Sequence, residues 1–231
     1  MTTPARPTAA DFLARHRGGG LFTETVSQRI GARFAVAAHR AKLLPTALTL
    51  TNLVLGLGAA MLVIVAHDRL PAAVVGLVAL VLWHVAYALD CADGQLARVT
   101  GTGSAAGARV DVLCDVALQV ALVAAVSAVA VTHDPAPPAW LIAAFAGTWM
   151  VNLVTSVLQQ GEAAASLVTG SSLPVRLIKL IRDYGAVVTV IGLVLAFVPQ
   201  WTIWLMVAFT VVNGAFLLAS IAASARASLR V

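Results

Sequence analysis

Residues 90–115 read DCADGQLARVTGTGSAAGARVDVLCD. Four of the chain's ten acids, Asp90, Asp93, Asp111 and Asp115, fall in this stretch, at the edges of two long apolar runs where a lone charge is expensive to desolvate. On a helix turning by about 100° per residue, Asp90, Asp93, Gly94 and Ala97 share one face, because steps of three, four and seven return to nearly the same side. Gly107, Asp111 and Asp115 make a second such stripe. A short linker over residues 99–106 lets the two helices run antiparallel, so that four carboxylates converge beside small residues. Such a cluster predicts a hard-cation site for Mg²⁺ or Mn²⁺, since oxygen ligands suit those ions and no soft-ligand group competes. Two divalent ions balance four carboxylates, and two ions flanking a phosphate stabilise in-line displacement. Gly94, Ala97 and Gly107 leave room for a substrate to approach the backbone. A competing reading pairs the acids with Arg98 and Arg109 inside the membrane, but it leaves two acids unpaired and the spacing without a cause.

Composition sets the class around this stretch. Of 231 residues, 60% are hydrophobic and 11% charged, and the mean hydropathy is +0.93, too apolar for an ordinary soluble domain. The expectation is an all-α integral membrane protein with six transmembrane helices preceded by an interfacial amphipathic helix. Spans of the length a bilayer needs are predicted at 44–66, 72–97, 106–131, 139–159, 175–198 and 201–223. Residues 1–20, rich in Pro, Ala, Gly and Arg and lacking the apolar core of a signal peptide, predict a mobile cytosolic tail. In 21–43, Phe22, Val26, Ile30 and Phe34 recur every fourth position, opposite or beside Arg29, Arg33, His39 and Arg40. That pattern predicts a juxtamembrane helix lying in the interface, a soluble surface helix being the alternative. The catalytic domain is expected over 44–225, with a short cytosolic tail at 226–231.

The net charge of +5 comes from basic residues flanking apolar spans. This distribution argues for membrane topology and anionic lipid, and against nucleic acid. With six spans, fourteen of the fifteen Lys and Arg fall on one side and Arg69 alone on the other, which predicts both termini and the acidic stretch in the cytosol. Cys91 and Cys114 lie inside that stretch and are expected as small apolar fillers, not as a disulfide.

The order Asp90, two residues, Asp93-Gly94, two residues, Ala97-Arg98, eight residues, Gly107, three residues, Asp111, three residues, Asp115 resembles the signature of the CDP-alcohol phosphotransferase (CDP-alcohol phosphatidyltransferase) family. Every spacing agrees, over eight positions in twenty-six residues. The opening of the first span, LPTALTLTN at 44–52, is similar to the family's first-helix pattern and departs from it at Thr46, where Asn is common. The resemblance implies an enzyme of phospholipid biosynthesis. It moves a substituted phosphate from a CDP-alcohol, most often CDP-diacylglycerol, to a hydroxyl acceptor and releases CMP. It further implies Asp90, Asp93 and Asp111 as principal metal ligands, Asp115 as general base and also a ligand, and Asp90, Gly94, Ala97, Arg98 and Gly107 as the nucleotide and pyrophosphate pocket. A homodimer in contact with membrane lipid is the expected assembly. A soluble donor such as CDP-inositol with a phosphorylated acceptor is the alternative within the class. A cation transporter is the alternative outside it, disfavoured by the absence of repeated halves and by acids clustered at one membrane side.

Arg176, Lys179 and Arg182 recur every third residue at the start of the fifth span. They read either as snorkelling anchors or as a clamp for an acceptor phosphate, since Arg forms bidentate bonds to phosphate oxygens. Asn52 reads equally as a polar group nearest the cavity or as a plain interhelical hydrogen-bonder. His84, rotated away from the carboxylate face, predicts a structural hydrogen bond. Trp140 and Trp201, at span starts, predict interface anchors.

Overall fold

The computed structural model describes residues 6–17, 19–134, 136–158 and 183–229, and among them every regular element is helical. A short helix α1 (Ala9–Leu13) precedes a π-helical turn (Thr23–Ser27) that runs directly into α2 (Gln28–Arg40). Then come α3 (Pro45–Ala66), α4 (Ala72–Thr100), α5 (Ala105–His133), α6 (Ala139–Leu158), α7 (Tyr184–Phe197) and, through a 3₁₀ turn at Pro199–Trp201, α8 (Thr202–Ser228). Four helical stretches are long and apolar enough to cross a membrane: Pro45–Ala66, Ala72–Thr100, Ala105–His133 and Pro199–Arg226. Two further apolar helices, Ala139–Val151 within α6 and Tyr184–Phe197, are shorter over the described residues. These helices make the chain an integral membrane protein. The expected fifth span, 175–198, starts outside the described residues and is helical from Tyr184.

Local chemistry accounts for the helix ends nearest the acidic stretch. Pro45 opens α3 at its first turn, where a missing N–H costs nothing. α4 closes on Gly101 in the left-handed region (φ +70°), and the N–H of Thr102 returns to the Ala97 carbonyl at 3.1 Å. Ser104 caps α5 by accepting the N–H of Gly107 at 3.0 Å. The linker expected over 99–106 is therefore narrowed to 101–104, because α4 gains a turn and Ser104 starts α5 early. With 29 residues, α4 is about 44 Å long, against about 30 Å of hydrocarbon. Asp90 stands about 27 Å along it from Ala72, so the acids lie near one boundary of the apolar layer.

Outside, Val54, Met61, Leu113, Trp204 and Leu218 are exposed, a pattern that water would penalise and lipid accepts. Inside, α3, α4, α5, α6, α7 and α8 share one core, in which Trp83, Phe145 and Trp149 are buried and Phe209 is partly buried. Trp149 stacks on Phe209 at 4.4 Å between centroids. Trp140 and Trp201 are exposed at the starts of their helices. α4 and α7 pack antiparallel with a graded seam. A Cβ on Gly76 would stand 2.4 Å from the Ala196 backbone nitrogen, and one on Gly192 2.7 Å from Leu80. Farther along, His84 shares a 2.9 Å hydrogen bond with Thr189, the structural contact expected of it, and Tyr87 meets Tyr184 edge-on at 4.8 Å. Bulk in the seam grows toward the acids.

The N-terminal region differs from the expected tail. α1 carries Phe12, which is fully buried against Ala32, Ala35 and Ala38 of α2 and Leu89, Ala92 and Leu96 of α4. Thr8 donates its N–H and its hydroxyl to Asp11 Oδ2, both at 2.7 Å, and these bonds hold the Asp11 carboxyl below its ordinary pKa. α2 buries a face of small residues, Gly31, Ala32, Ala35 and Ala38, while Val26, Arg29, Arg33 and Arg40 are exposed. The small face permits the close approach: a Cβ on Gly31 would stand 2.8 Å from the Ala88 carbonyl.

Candidate active site

The acids of α4 and α5 meet where the two helices leave the apolar layer. One oxygen from each of Asp90, Asp93 and Asp111 lies within 4.8 Å of the others. Asp115, one turn deeper on α5, lies outside that triplet and faces a separate cavity together with Asp90. The four therefore form a row, three members gathered and the fourth set inward. Asp115 follows Asp111 by four residues, about 6 Å farther along α5, which sets it inward of the other three.

Polar side chains of α3 steady the row. Thr49 Oγ1 donates to Asp93 Oδ2, and Asn52 Nδ2 donates to Asp90 Oδ1 at 3.3 Å. Asn52 therefore lines the site and at the same time makes a hydrogen bond between α3 and α4, so the two sequence readings of it meet in one contact. Asp111 Oδ1 is buried without a hydrogen-bond partner, a costly state for a carboxylate oxygen unless a cation meets it. Three hard oxygen donors and one orphaned lone pair fit a divalent cation. The pairing with arginine is not observed. Among the described residues the ion pair within 4.0 Å is Asp68–Arg69, exposed and far from the row.

Two cavities open from the acids. The outer one, about 1020 Å³, is lined by Asp90, Asp93, Asp111, Gly94, Ala97, Arg98 and Gly107, and by residues of the N-terminal segment. Every residue expected around the nucleotide lines it. Arg98 curls back over Gly94, where a Cβ would stand 2.8 Å from its Nη1. Gly94 is thus the position that lets the guanidinium lie beside the acids. The inner cavity, about 260 Å³, is walled by Trp83, Tyr87, Trp149, Tyr184 and Phe209, with Asn52, Gln119, Asp90 and Asp115 as its polar groups. Gln119 Oε1 is buried there without a partner. Asp90 and Tyr87 belong to both cavities.

Sequence reasoning missed Thr49, Tyr87, Gln119 and Tyr184. Two of them were within reach: Thr49 precedes Asn52 by three residues, and Tyr87 precedes Asp90 by three, each on the same helix face as its partner. Arg176, Lys179 and Arg182, expected at the acceptor, lie outside the described residues. Asp183 pairs with no cation among the described residues. It caps α7 through the N–H of Gly185 (3.1 Å) and accepts the N–H and hydroxyl of Thr23. Cys91 and Cys114 are free and buried.

A helical membrane scaffold with a carboxylate row between a large polar cavity and a small aromatic one defines a membrane-embedded, acid-centred site. The chain belongs to the CDP-alcohol phosphatidyltransferase family, whose profile matches residues 42–212. No curated protein matches the sequence at a significant level. Family membership implies transfer of a phosphate-linked group from a CDP-alcohol to a hydroxyl acceptor in a lipid environment.

Proposed function

We propose that the protein is a divalent-metal-dependent phosphatidyltransferase that takes CDP-diacylglycerol as donor in the outer cavity and a hydroxyl acceptor in the inner one. The observation that carries this reading is the position of Asp90, shared by two cavities of unequal size with Asp115 on the inner side alone. Asp90, Asp93 and Asp111 would hold Mg²⁺ or Mn²⁺, in one or two ions; bound there, the metal lowers the charge on the diphosphate and on departing CMP. Thr49 and Asn52 fix the orientation of two of these carboxylates. Asp115 takes the proton of the acceptor hydroxyl as its oxygen forms a bond to the donor's β-phosphorus and the bond from that phosphorus to the bridging oxygen breaks, releasing CMP. The aromatic wall around Asp115 keeps water away from this step.

Six spans, an interfacial α2 and a cytosolic site are the topology that suits this chemistry, since the lipid tails stay in the bilayer while the polar head reaches the acids near its boundary. Arg176, Lys179 and Arg182 then serve an acceptor phosphate, and a homodimer is the expected assembly. A soluble CDP-alcohol donor paired with a phosphorylated acceptor is the second reading of the same site.

The test is CMP release by purified protein from radiolabelled CDP-diacylglycerol with a panel of acceptors, in Mg²⁺ and in chelator. Release should stop in chelator and return with Mg²⁺ or Mn²⁺; turnover in thorough chelator would exclude the metal reading. Changing Arg176 and Arg182 to Ala should raise the acceptor KM far more than the donor KM if they hold a phosphate. Equal effects would make them membrane anchors.

A further inference from the structure

The outer cavity has a wall that the family profile, which begins at residue 42, does not reach. Arg17, Gly19 and Thr23 line it together with the acids and Arg98. This segment is pinned at three places. Phe12 is buried between α2 and α4 and stands 6.0 Å from the His39 ring. The carbonyl of Arg15 accepts a 2.6 Å hydrogen bond from Arg98 Nε. Thr23 is tied to Asp183 through both its N–H and its hydroxyl.

The middle contact has a chemical consequence. A guanidinium is planar and carries its donors in a fixed fork, so a hydrogen bond from Nε sets the plane of the whole group. With Nε engaged by Arg15, the Nη groups of Arg98 lie over Gly94, beside Asp93. Two residues after the carbonyl that aims Arg98, the chain presents a second arginine. Among the described residues, Arg17 and Arg98 are the cations that line this cavity, facing the Asp90, Asp93 and Asp111 triplet. A disubstituted diphosphate carries two negative charges, and a divalent ion already shared by three carboxylates does not offset them, whereas arginine is the side chain suited to phosphate oxygens.

We propose that residues 12–17 form a strap belonging to the donor site: Phe12 docks it, the Arg15 carbonyl orients Arg98, and Arg17 binds a phosphate oxygen of the nucleotide. This rests on the nucleotide reading of the outer cavity. Arg17 is a binding residue and Phe12 a positioning residue. A lipid headgroup presents the same phosphate chemistry to Arg17, so the experiment separates the two sources.

The full-length protein, in neutral detergent with Mg²⁺ and without lipid, is titrated with CDP and, separately, with cytidine. Arg17→Gln is expected to weaken CDP binding about tenfold, to leave cytidine binding unchanged, and to raise the donor KM without moving the acceptor KM. Arg17→Lys should recover part of the loss. Phe12→Ala should weaken CDP binding in the wild-type background and add little once Arg98 is already Ala, because its effect runs through Arg98. CDP affinity unchanged in Arg17→Gln, with weaker sedimentation on anionic phosphatidylglycerol vesicles, would assign the arginine to lipid and overturn the strap. Fully additive losses in the Phe12 and Arg98 double variant would overturn the positioning role. Wild-type protein that binds no CDP in Mg²⁺ would remove the nucleotide reading itself, a result distinct from variants that bind CDP as well as wild type.

Discussion

The outer and inner cavities share Asp90 and Tyr87 yet differ in size and in the rest of their lining. The outer one is about four times larger by volume, bounded by acids, arginine and glycine at the end of the bundle (1020 against 260 Å³). The inner one is lined by five aromatic side chains, with two amides and two acids as its polar groups. On the function proposed above, the contrast lets one row of carboxylates serve two tasks. Acids on the larger, polar wall would hold cations and a charged leaving group, and the last acid, among aromatic side chains, would meet the acceptor hydroxyl.

The largest break in this contrast should come from the shared residue. Asp90→Asn is expected to lower CMP release by about a thousandfold or more, and to weaken Mg²⁺-dependent CDP binding as well. Asp115→Asn should lower turnover by about the same factor while CDP affinity, read by titration, stays near wild type; retained turnover would remove the base assignment. Next comes Trp149→Ala, which takes a buried ring from the inner wall. It should lower the midpoint of thermal unfolding, by a loss of about 3 kcal/mol, and raise the acceptor KM more than the donor KM. Gly94→Ala acts on the other side: its new methyl displaces the Arg98 guanidinium, so the donor KM should rise about tenfold with the acceptor KM unmoved. The smallest effect is expected from Thr49→Val, which removes one hydrogen bond to Asp93. A donor KM rise of roughly threefold to tenfold follows from the usual worth of such a bond. If Gly94→Ala and Trp149→Ala shift both KM values equally, the two cavities are not separate subsites.

The site was legible because its spacing is helical. Asp90 and Asp93 share a face because they stand three residues apart, Asp111 joins them from α5 across the short linker, and Gly94, Ala97, Arg98 and Gly107 all line the outer cavity. The membrane-spanning helical class was legible through composition, whereas the helix ends beside the acids, expected at 97 and 106, lie at Thr100 and Ala105, where Gly101 and Ser104 cap them. The strap was not legible. Phe12 and Leu13 are the large apolar residues in a stretch of Ala, Arg and Gly, with no period to announce a buried face, and the partners of Phe12 lie on α2 and α4. The pairing of Tyr87 with Tyr184 joins helices nearly a hundred residues apart, and no local pattern encodes which aromatic will face which. Asp183 caps α7 and accepts the N–H and the hydroxyl of Thr23, a contact across 160 residues of chain that no local pattern encodes.

The graded seam between α4 and α7 behaves like a clothes-peg. Its pivot is the glycine end, where Gly76 and Gly192 bring the two rods into contact, and its jaws are the tyrosine end beside the row of acids. Thickening the pivot, for instance with Gly192→Leu, would tilt α7 about a fulcrum two or three turns from the chemistry and spread the jaws. On the function proposed above, the aperture through which an acceptor meets Asp115 would thereby be set in part by the hydrogen atoms of two glycines remote from it.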